Sequence, residues 1–452
     1  MTVISLLSRL LGRANDVPAK TGLSFGRSSV GAGRPIVLDD ATLRSHVAIS
    51  GRVGVGVQNL VEQLLSQQTE KGRGWVYIDP ACDEGLLERL AAQARAHGRG
   101  DEFYVLDLHR PGNSNTYDVL RAGTLEQRAI RALQVLPAAE NNPGAQFYAQ
   151  QGYNILVPVF GALDAAGKSV SLRDLGELLM QLESDDTQRE LLNTIPTGHP
   201  ARDALLAAFD SIRKNAESDT QRLRNVLGGL AGRLYSIGSE VPSEVFGCAQ
   251  PEIEFGDILA HNKMCYVRLP VMAKDQTMLA LARMLLHDVS TSVAARARTP
   301  SRLRTPFLCI MDAFPAYGLS GILRAPMTST DYSHARGMSV SMVPVMDEGW
   351  DNLHETYADG LHNLIGNTFT KVYFQQKPDE LTKELHPYMP ESSLAKLTLG
   401  EFVMWKGATG YRGLLSPMPA TEKPPAFTKQ AMALGEAHAR LQLANAVESV
   451  KA

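Results

Sequence analysis

The sequence predicts an α/β chain whose mainly parallel sheet is assembled from two separated stretches, with an all-α domain inserted between them. Three observations predict it. Short apolar runs alternate with helical spacings up to residue 107; helical spacing alone then continues to about residue 255; short apolar runs return at residue 264. The length of 452 residues also exceeds the roughly 250–300 at which one hydrophobic core stops growing, so two lobes or a core with an insertion are expected.

The elements follow in order. HVAIS (46–50) reads as a strand, then a glycine turn, then a helix whose buried face carries Leu60, Val61, Leu64 and Leu65. WVYID (75–79), a helix from Glu84 to about Ala96, and FYVLD (103–107) complete a βαβαβ start, which the right-handed crossover rule folds into a parallel sheet. Thr124-Leu-Glu-Gln127 and Ser171-Leu-Arg-Asp174 have the form of capping boxes. Leu223, Val226, Leu227, Leu230 and Leu234 mark one face of a further helix. Strands return as MCYVRL (264–269) and FLCIMD (307–312), with a helix from Gln276 to about Ala297 between them. SVSMVPV (339–345), KVYF (371–374) and EFVMW (401–405) close the set. The expected organisation is an N-terminal amphipathic segment at 1–24, the first part of the sheet domain at 25–116, the all-α insertion at 117–255, the second part at 256–420 and a helical tail at 421–452.

Composition narrows the function classes. With 45 basic and 48 acidic residues the net charge is -3, so no overall attraction to nucleic acid or an anionic membrane is implied and any such contact is local. Cys82, Cys248, Cys265 and Cys309 form no CxxC pair, which argues against a zinc ribbon or a disulfide framework and for a reduced, cytosolic chain. The longest apolar run, Ile155 to Leu163, contains Pro158 and Gly161 and falls short of the about 20 residues that span a bilayer. MTVISLLSRLLGRAN carries Arg9 and Arg13 within its apolar residues and no small-residue cleavage site; it reads as an amphipathic helix that meets a membrane surface or partner, or packs on its own domain. After Pro424-Pro425, Met432, Leu434, Leu441, Leu443 and Val447 suggest a terminal helix.

The chemistry-bearing stretch is SGRVGVGVQNL (50–60). In a phosphate loop, G-x-x-x-x-G-K-[S/T], backbone amides cradle the phosphates, lysine reaches the β and γ oxygens, and the hydroxyl ligates magnesium. Gly51, Gly54 and Gly56 supply the glycines, with Arg52, Val53 and Val55 between them; Val57 stands in the lysine place and Gln58 in the hydroxyl place. Close strand-to-helix packing alone also demands such glycines. FLCIMDAF ends its strand on Asp312, the place of a magnesium-holding aspartate, and follows it with Ala313 where a water-polarising glutamate is expected. An acid at a strand end also serves simply to cap the next element.

Together these segments resemble the TraD/TraG family of type IV coupling proteins, the RecA-like hexameric motors of conjugation and type IV secretion, more distantly related to the FtsK/HerA translocases. HVAISGRVGVGVQNL is similar to the family's strand and nucleotide loop. WVYIDPACDEGLLERL resembles the "DPKGD" strand, with Ala81 and Cys82 replacing lysine and glycine, and SNTYDVL (114–120) resembles the "YNPL" step into the all-α domain. PFLCIMDAFPAY is similar to the "DEFP" segment, and HARGMSVSMVPVMDEGWDNL to the stretch bearing the sensor glutamine, with Asp347 in that place. IGNTFTKVYF and LGEFVMWKG resemble the final strands, so the likeness runs from about residue 25 to about 415.

The resemblance implies a RecA-like P-loop NTPase fold, and its departures fall on catalytic places. A lost lysine removes charge-assisted hydrogen bonds worth about 1.5–3 kcal/mol each; a lost water-activating carboxylate forfeits a factor of roughly 10²–10⁴ in rate. Asp347 adds negative charge near a γ-phosphate. The expectation is a pseudo-ATPase without a bound cofactor, serving a conjugation or type IV secretion coupling complex in assembly or recruitment of DNA or protein substrate. Its expected partners are the other subunits of that complex, including an active coupling ATPase, in a homo- or hetero-oligomer. Two alternatives stay open. One is an active motor using ATP and magnesium, with lysine supplied by Lys71 or Lys214; the other is a DNA-binding adaptor using Arg296, Arg298, Arg302 and Arg304, or Arg213, Lys214, Arg222 and Arg224. For those charge runs a solvated face is the plainer reading. Arg336 is the candidate for an arginine finger acting in trans, against the plainer reading of a surface arginine. Family members usually begin with transmembrane helices and none is evident, so either another subunit supplies the anchor, holding a cytoplasmic bacterial chain at the inner membrane, or this branch is soluble.

Overall fold

In the computed structural model the chain is described over residues 21–30, 33–136, 143–248, 250–273, 275–317, 328–346, 358–377, 382, 392–417, 424 and 426–429, without side chains for 143–145, 212–226, 273, 358–360, 362 and 392. The expected N-terminal amphipathic segment and helical tail lie almost wholly outside those residues.

The strands are β1 (Leu23–Ser28), β2 (Pro35–Leu38), β3 (Val47–Ser50), β4 (Trp75–Asp79), β5 (Phe103–Asp107), β6 (Met264–Arg268), β7 (Phe307–Met311), β8 (Val340–Met346), β9 (Thr370–Tyr373), β10 (Glu401–Lys406) and β11 (Thr409–Leu414). They join into one 11-stranded sheet of order β2-β1-β11-β10-β9-β3-β8-β7-β4-β6-β5. From β9 to β5 every pairing is parallel; β10, β11, β1 and β2 extend the sheet antiparallel. Residues of β3, β4, β6, β7 and β8 are buried throughout, as expected for a parallel sheet covered on both faces. Alternation in β4 shows the two cores: Trp75 and Tyr77 pack with one cluster, Val76 and Ile78 with the other.

The first face is covered by α1 (Val57–Glu70) and α2 (Glu84–Ala96). Between β5 and β6 the chain leaves the sheet for the all-α insertion: α3 (Leu125–Leu133), α4 (Pro143–Ala165), α5 (Leu172–Gln181), α6 (Asp185–Thr194) and α7 (Pro200–Glu240). Both capping boxes form, Thr124 with Gln127 at α3 and Ser171 with Asp174 at α5, each satisfying two amides that a helix start leaves unpaired. A parallel bridge between Tyr117 and Ile253 ties the two connections of the insertion together. The second face of the sheet is completed by α8 (Phe255–Ala260), α9 (Gln276–Ser292), α10 (Ser329–Gly337) and α11 (Ala358–Asn367).

The structure differs from the sequence expectation at two places. α9 stops at Ser292 and a 3-10 stretch, Val293–Arg298, replaces its expected last turn. Ser290 and Thr291 hydroxyls donate back to the His287 carbonyl there, a competition that loosens helical pairing. β1, β2 and β11 were not anticipated. Glycines dilute the strand signal of β1 and β11, β2 is only four residues long and begins on Pro35, and Gly413 is needed because a Cβ there would lie 2.5 Å from the Phe402 ring and 2.6 Å from Ile36. Among the described residues no helix is long and apolar enough to cross a membrane.

Candidate functional site

The site grows from the carboxyl end of β3, which lies between β8 and β9. Gly51 N–H donates to Met346 O at 3.1 Å and Arg52 N–H to Gln375 O at 3.1 Å, so the loop leaves the sheet pinned to both neighbouring strand ends. Gly56 caps α1 with φ at 120°, a conformation essentially open to glycine alone. Gly51 answers to space: a Cβ would stand 2.6 Å from the Phe374 Cβ and 3.0 Å from a Val57 methyl. Val53 at the loop tip is 82% exposed, while Val55 is tied down by Gly400 N–H, which donates to its carbonyl at 2.9 Å.

Val57 begins α1 with 6% of its surface exposed and belongs to the core cluster under α1. Gln58 turns the other way. Its Nε2 donates to Asp312 Oδ2 at 2.9 Å, and the amide orientation is forced because a carboxylate only accepts. Tyr77 OH donates to the same oxygen at 2.7 Å, and Ala313 N–H donates to Oδ1 at 2.9 Å. Asp312 is 2% exposed. Burial, together with the Asp312 charge, holds the Tyr77 phenol well above its ordinary range, so it remains a donor. Ala313 sits at φ 43°, a left-handed backbone uncommon for alanine, and offers only a methyl group.

A second buried polar cluster adjoins this one. The Asp79 carboxylate accepts from the amides of Ala81 (2.9 Å), Cys82 (3.0 Å) and Asp83 (2.7 Å), and from Tyr266 OH (2.7 Å). Burial still raises its pKa. Cys82 has φ 56°: the left-handed turn persists where the resembled motif has glycine. Burial, with the Asp79 charge beside it, pushes the thiol up to about 12, which leaves it protonated. Arg268 closes the cluster, 2.6 Å from Asp107 and 2.8 Å from the Cys82 carbonyl.

The donor set does not match a magnesium–nucleotide centre. Magnesium takes oxygen ligands, whereas an amide NH2 here points at the aspartate, whose oxygens accept from three protein donors. No group of three or more His, Cys, Asp or Glu among the described residues is placed to hold a metal.

The other sequence-predicted residues are distributed as follows. Asp347 lies outside the described residues; Met346, just before it, meets the loop through the Gly51 bond. Arg336 is exposed in the last turn of α10, before β8 begins. The seven residues of β8, at about 3.3 Å each, place it roughly 23 Å from its own loop. Lys71 caps the far end of α1, 14 residues from its start and hence about 20 Å away, so it does not reach the loop of its own chain. The side chains of Arg213, Lys214, Arg222 and Arg224 lie outside those described. Arg296 is corrected: it is 3% exposed and donates to Met338 O, Leu259 O, Asn262 Oδ1 and Thr305 O, so it holds the fold and is not presented to DNA. Arg304 donates to Thr299 O and Gly337 O, while Arg298 and Arg302 are exposed. Sequence reasoning missed Tyr77. Its signal was a hydroxyl in the middle of an apolar run, Trp75 to Ile78, which needs a buried partner.

No protein-family model matches the chain. Over 358 residues it is 20% identical to the type 4 coupling protein DotL of Legionella pneumophila, covering 68% of this chain and 45% of DotL. That similarity supports homology to the type 4 coupling protein DotL. The chain spans less than half the length of that curated relative. Among solved structures, coupling protein TrwB in complex with the ATP analogue ADPNP aligns with a TM-score of 0.63 at 15% identity, over 92% of this chain and 99% of that one. TrwB in complex with ADP and Mg2+ gives 0.60 at 15%, over 92% and 100%. VirB4 of Thermoanaerobacter pseudethanolicus gives 0.52 at 16%, over 90% and 99%. The chain therefore has the RecA-like P-loop fold with a mainly parallel sheet and an all-α insertion.

Proposed function

We propose that this chain is a non-hydrolysing component of a conjugation or type IV secretion coupling complex, acting in assembly or in recruitment of DNA or protein substrate beside an active ATPase subunit. The observation that carries the reading is Val57: the residue in the lysine place is an apolar side chain sealed into the core beside Gly51. A nucleotide's phosphates would meet no cation from that position, and Ala313 would polarise no water. Attachment at the inner membrane through partner subunits belongs to the same proposal. The alternative, a motor of the kind suggested by TrwB with its ADP, Mg2+ and ADPNP complexes, requires a lysine from elsewhere, and Lys71 is at the wrong end of α1.

Calorimetric titration of the purified chain with magnesium-ATP is the test. No heat of binding at millimolar nucleotide and no phosphate release are expected. Robust hydrolysis that disappears on Asp312→Ala overturns the reading. Co-purification from the native host followed by mass spectrometry is expected to find an intact coupling ATPase in the same complex. A second reading, a DNA-binding adaptor, draws support from the exposure of Arg298 and Arg302.

A further inference from the structure

We infer that Gln58 is a built-in replacement for a metal ion: its carboxamide makes, within the chain, the link between the glycine-loop helix and the β7 strand end that a bound cation makes conditional elsewhere. The inference rests on the reading of the loop as non-hydrolysing and adds a positive role to it. Gln58 stands at the second residue of α1 and reaches Asp312, 254 positions later, at 2.9 Å. An isolated buried carboxylate is expensive and is stabilised either by a cation or by directed donors. Asp312 has the donors: Gln58 Nε2 and Tyr77 OH on one oxygen, Ala313 N–H on the other. A hydroxyl at position 58 is shorter by two heavy atoms and would leave a gap for an ion; glutamine spans the gap and brings its own N–H. The loop is then fixed to the sheet whether or not a ligand is present. A chain so built keeps one conformation of its nucleotide face, which suits a subunit that offers a constant surface to moving neighbours.

Hydrogen exchange on the full chain tests this, read at the amides of residues 54–60 and 312–314. In the unsubstituted protein, exchange is expected to be the same with and without millimolar magnesium chloride. Gln58→Ala is expected to speed exchange at both segments by about 10-fold or more, the order expected for a lost hydrogen bond to a charged group. Gln58→Glu, which sets two carboxylates face to face, is expected to exchange as fast without magnesium and to return toward the unsubstituted rate when magnesium is added. Three results each overturn the inference: unaltered exchange in Gln58→Ala, a magnesium response in the unsubstituted chain, or no magnesium response in Gln58→Glu. Hydrolysis of magnesium-ATP by the unsubstituted chain would instead overturn the non-hydrolysing reading, so the two failures are told apart.

Discussion

The guanidinium of Arg131 on α3 meets the carboxylate of Asp288 on α9 at 2.8 Å, with side-chain exposures of 0% and 1%. Tyr117 OH donates to the same carboxylate at 2.7 Å, and Arg131 also donates to the carbonyls of Val119 and Ala122. The root of the insertion is thus clamped to α9 by a desolvated pair. Removing one partner leaves an uncompensated buried charge, so Arg131→Met is expected to cost about 3–5 kcal/mol. Combining it with Asp288→Leu is expected to recover most of that loss. Urea unfolding of the single and double variants measures the coupling; strict additivity of the two losses would contradict it.

His46 predicts a dependence of stability on pH. Its Nε2–H donates to Tyr332 O at 2.9 Å and its Nδ1 accepts from Met342 N–H at 3.1 Å. Burial, aided by the nearby Arg336 charge, lowers its pKa to about 4 from the ordinary imidazole value of 6.5. Between those values the unfolded chain binds a proton that the folded chain refuses, so stability is fully present above 6.5 and falls as pH drops toward 4, by roughly 3 kcal/mol in all. His46→Asn tolerates φ 62° and is expected to flatten the slope of Tm against pH while lowering Tm at neutrality. Parallel pH profiles of the two proteins would rule this out.

The loop glycines separate packing from strain. Gly51→Ala brings a Cβ to 2.6 Å of the Phe374 Cβ, an overpacking expected to cost about 1–3 kcal/mol. Gly54 has no atom within 4 Å of an added Cβ but lies at φ 84°, so Gly54→Ala is expected to cost about 1 kcal/mol from backbone strain. Chemical denaturation of both variants reads the order, and an equal or reversed order would contradict the packing role of Gly51.

The arginines sort by burial. Arg296→Ala abandons four acceptors and is expected to cost about 3 kcal/mol or more. Arg298→Ala and Arg302→Ala, both exposed, are expected to stay within about 0.5 kcal/mol of the parent. If the adaptor reading holds, that exposed pair of substitutions also reduces the slope of log affinity for DNA against log salt by about 2; an unchanged slope removes that reading.

Much of the fold was legible because each local signal had a local cause. Buried parallel strands such as Trp75 to Ile78 and Phe307 to Met311 are apolar on both faces, and the boxes at Thr124 and Ser171 are closed by residues three positions away. β1 and β11 were not legible, because Gly26 and Gly413 are chosen by neighbours distant in the chain: a Cβ would approach Leu414 O to 2.4 Å and the Phe402 ring to 2.5 Å. The same limit governed Arg296, whose place in a basic run said nothing of the carbonyls that surround it.

By itself the sequence determined the parallel strands of the sheet, the insertion and the presence of Val57 and Ala313 beside the glycine loop and after Asp312, since those are statements about which residue occupies which place. Only the tertiary structure decided what Gln58 does. Its partner Asp312 is 254 positions away, and whether an amide and a carboxylate oppose each other or stand apart depends on how β3, β8 and β7 lie side by side, which no local pattern encodes.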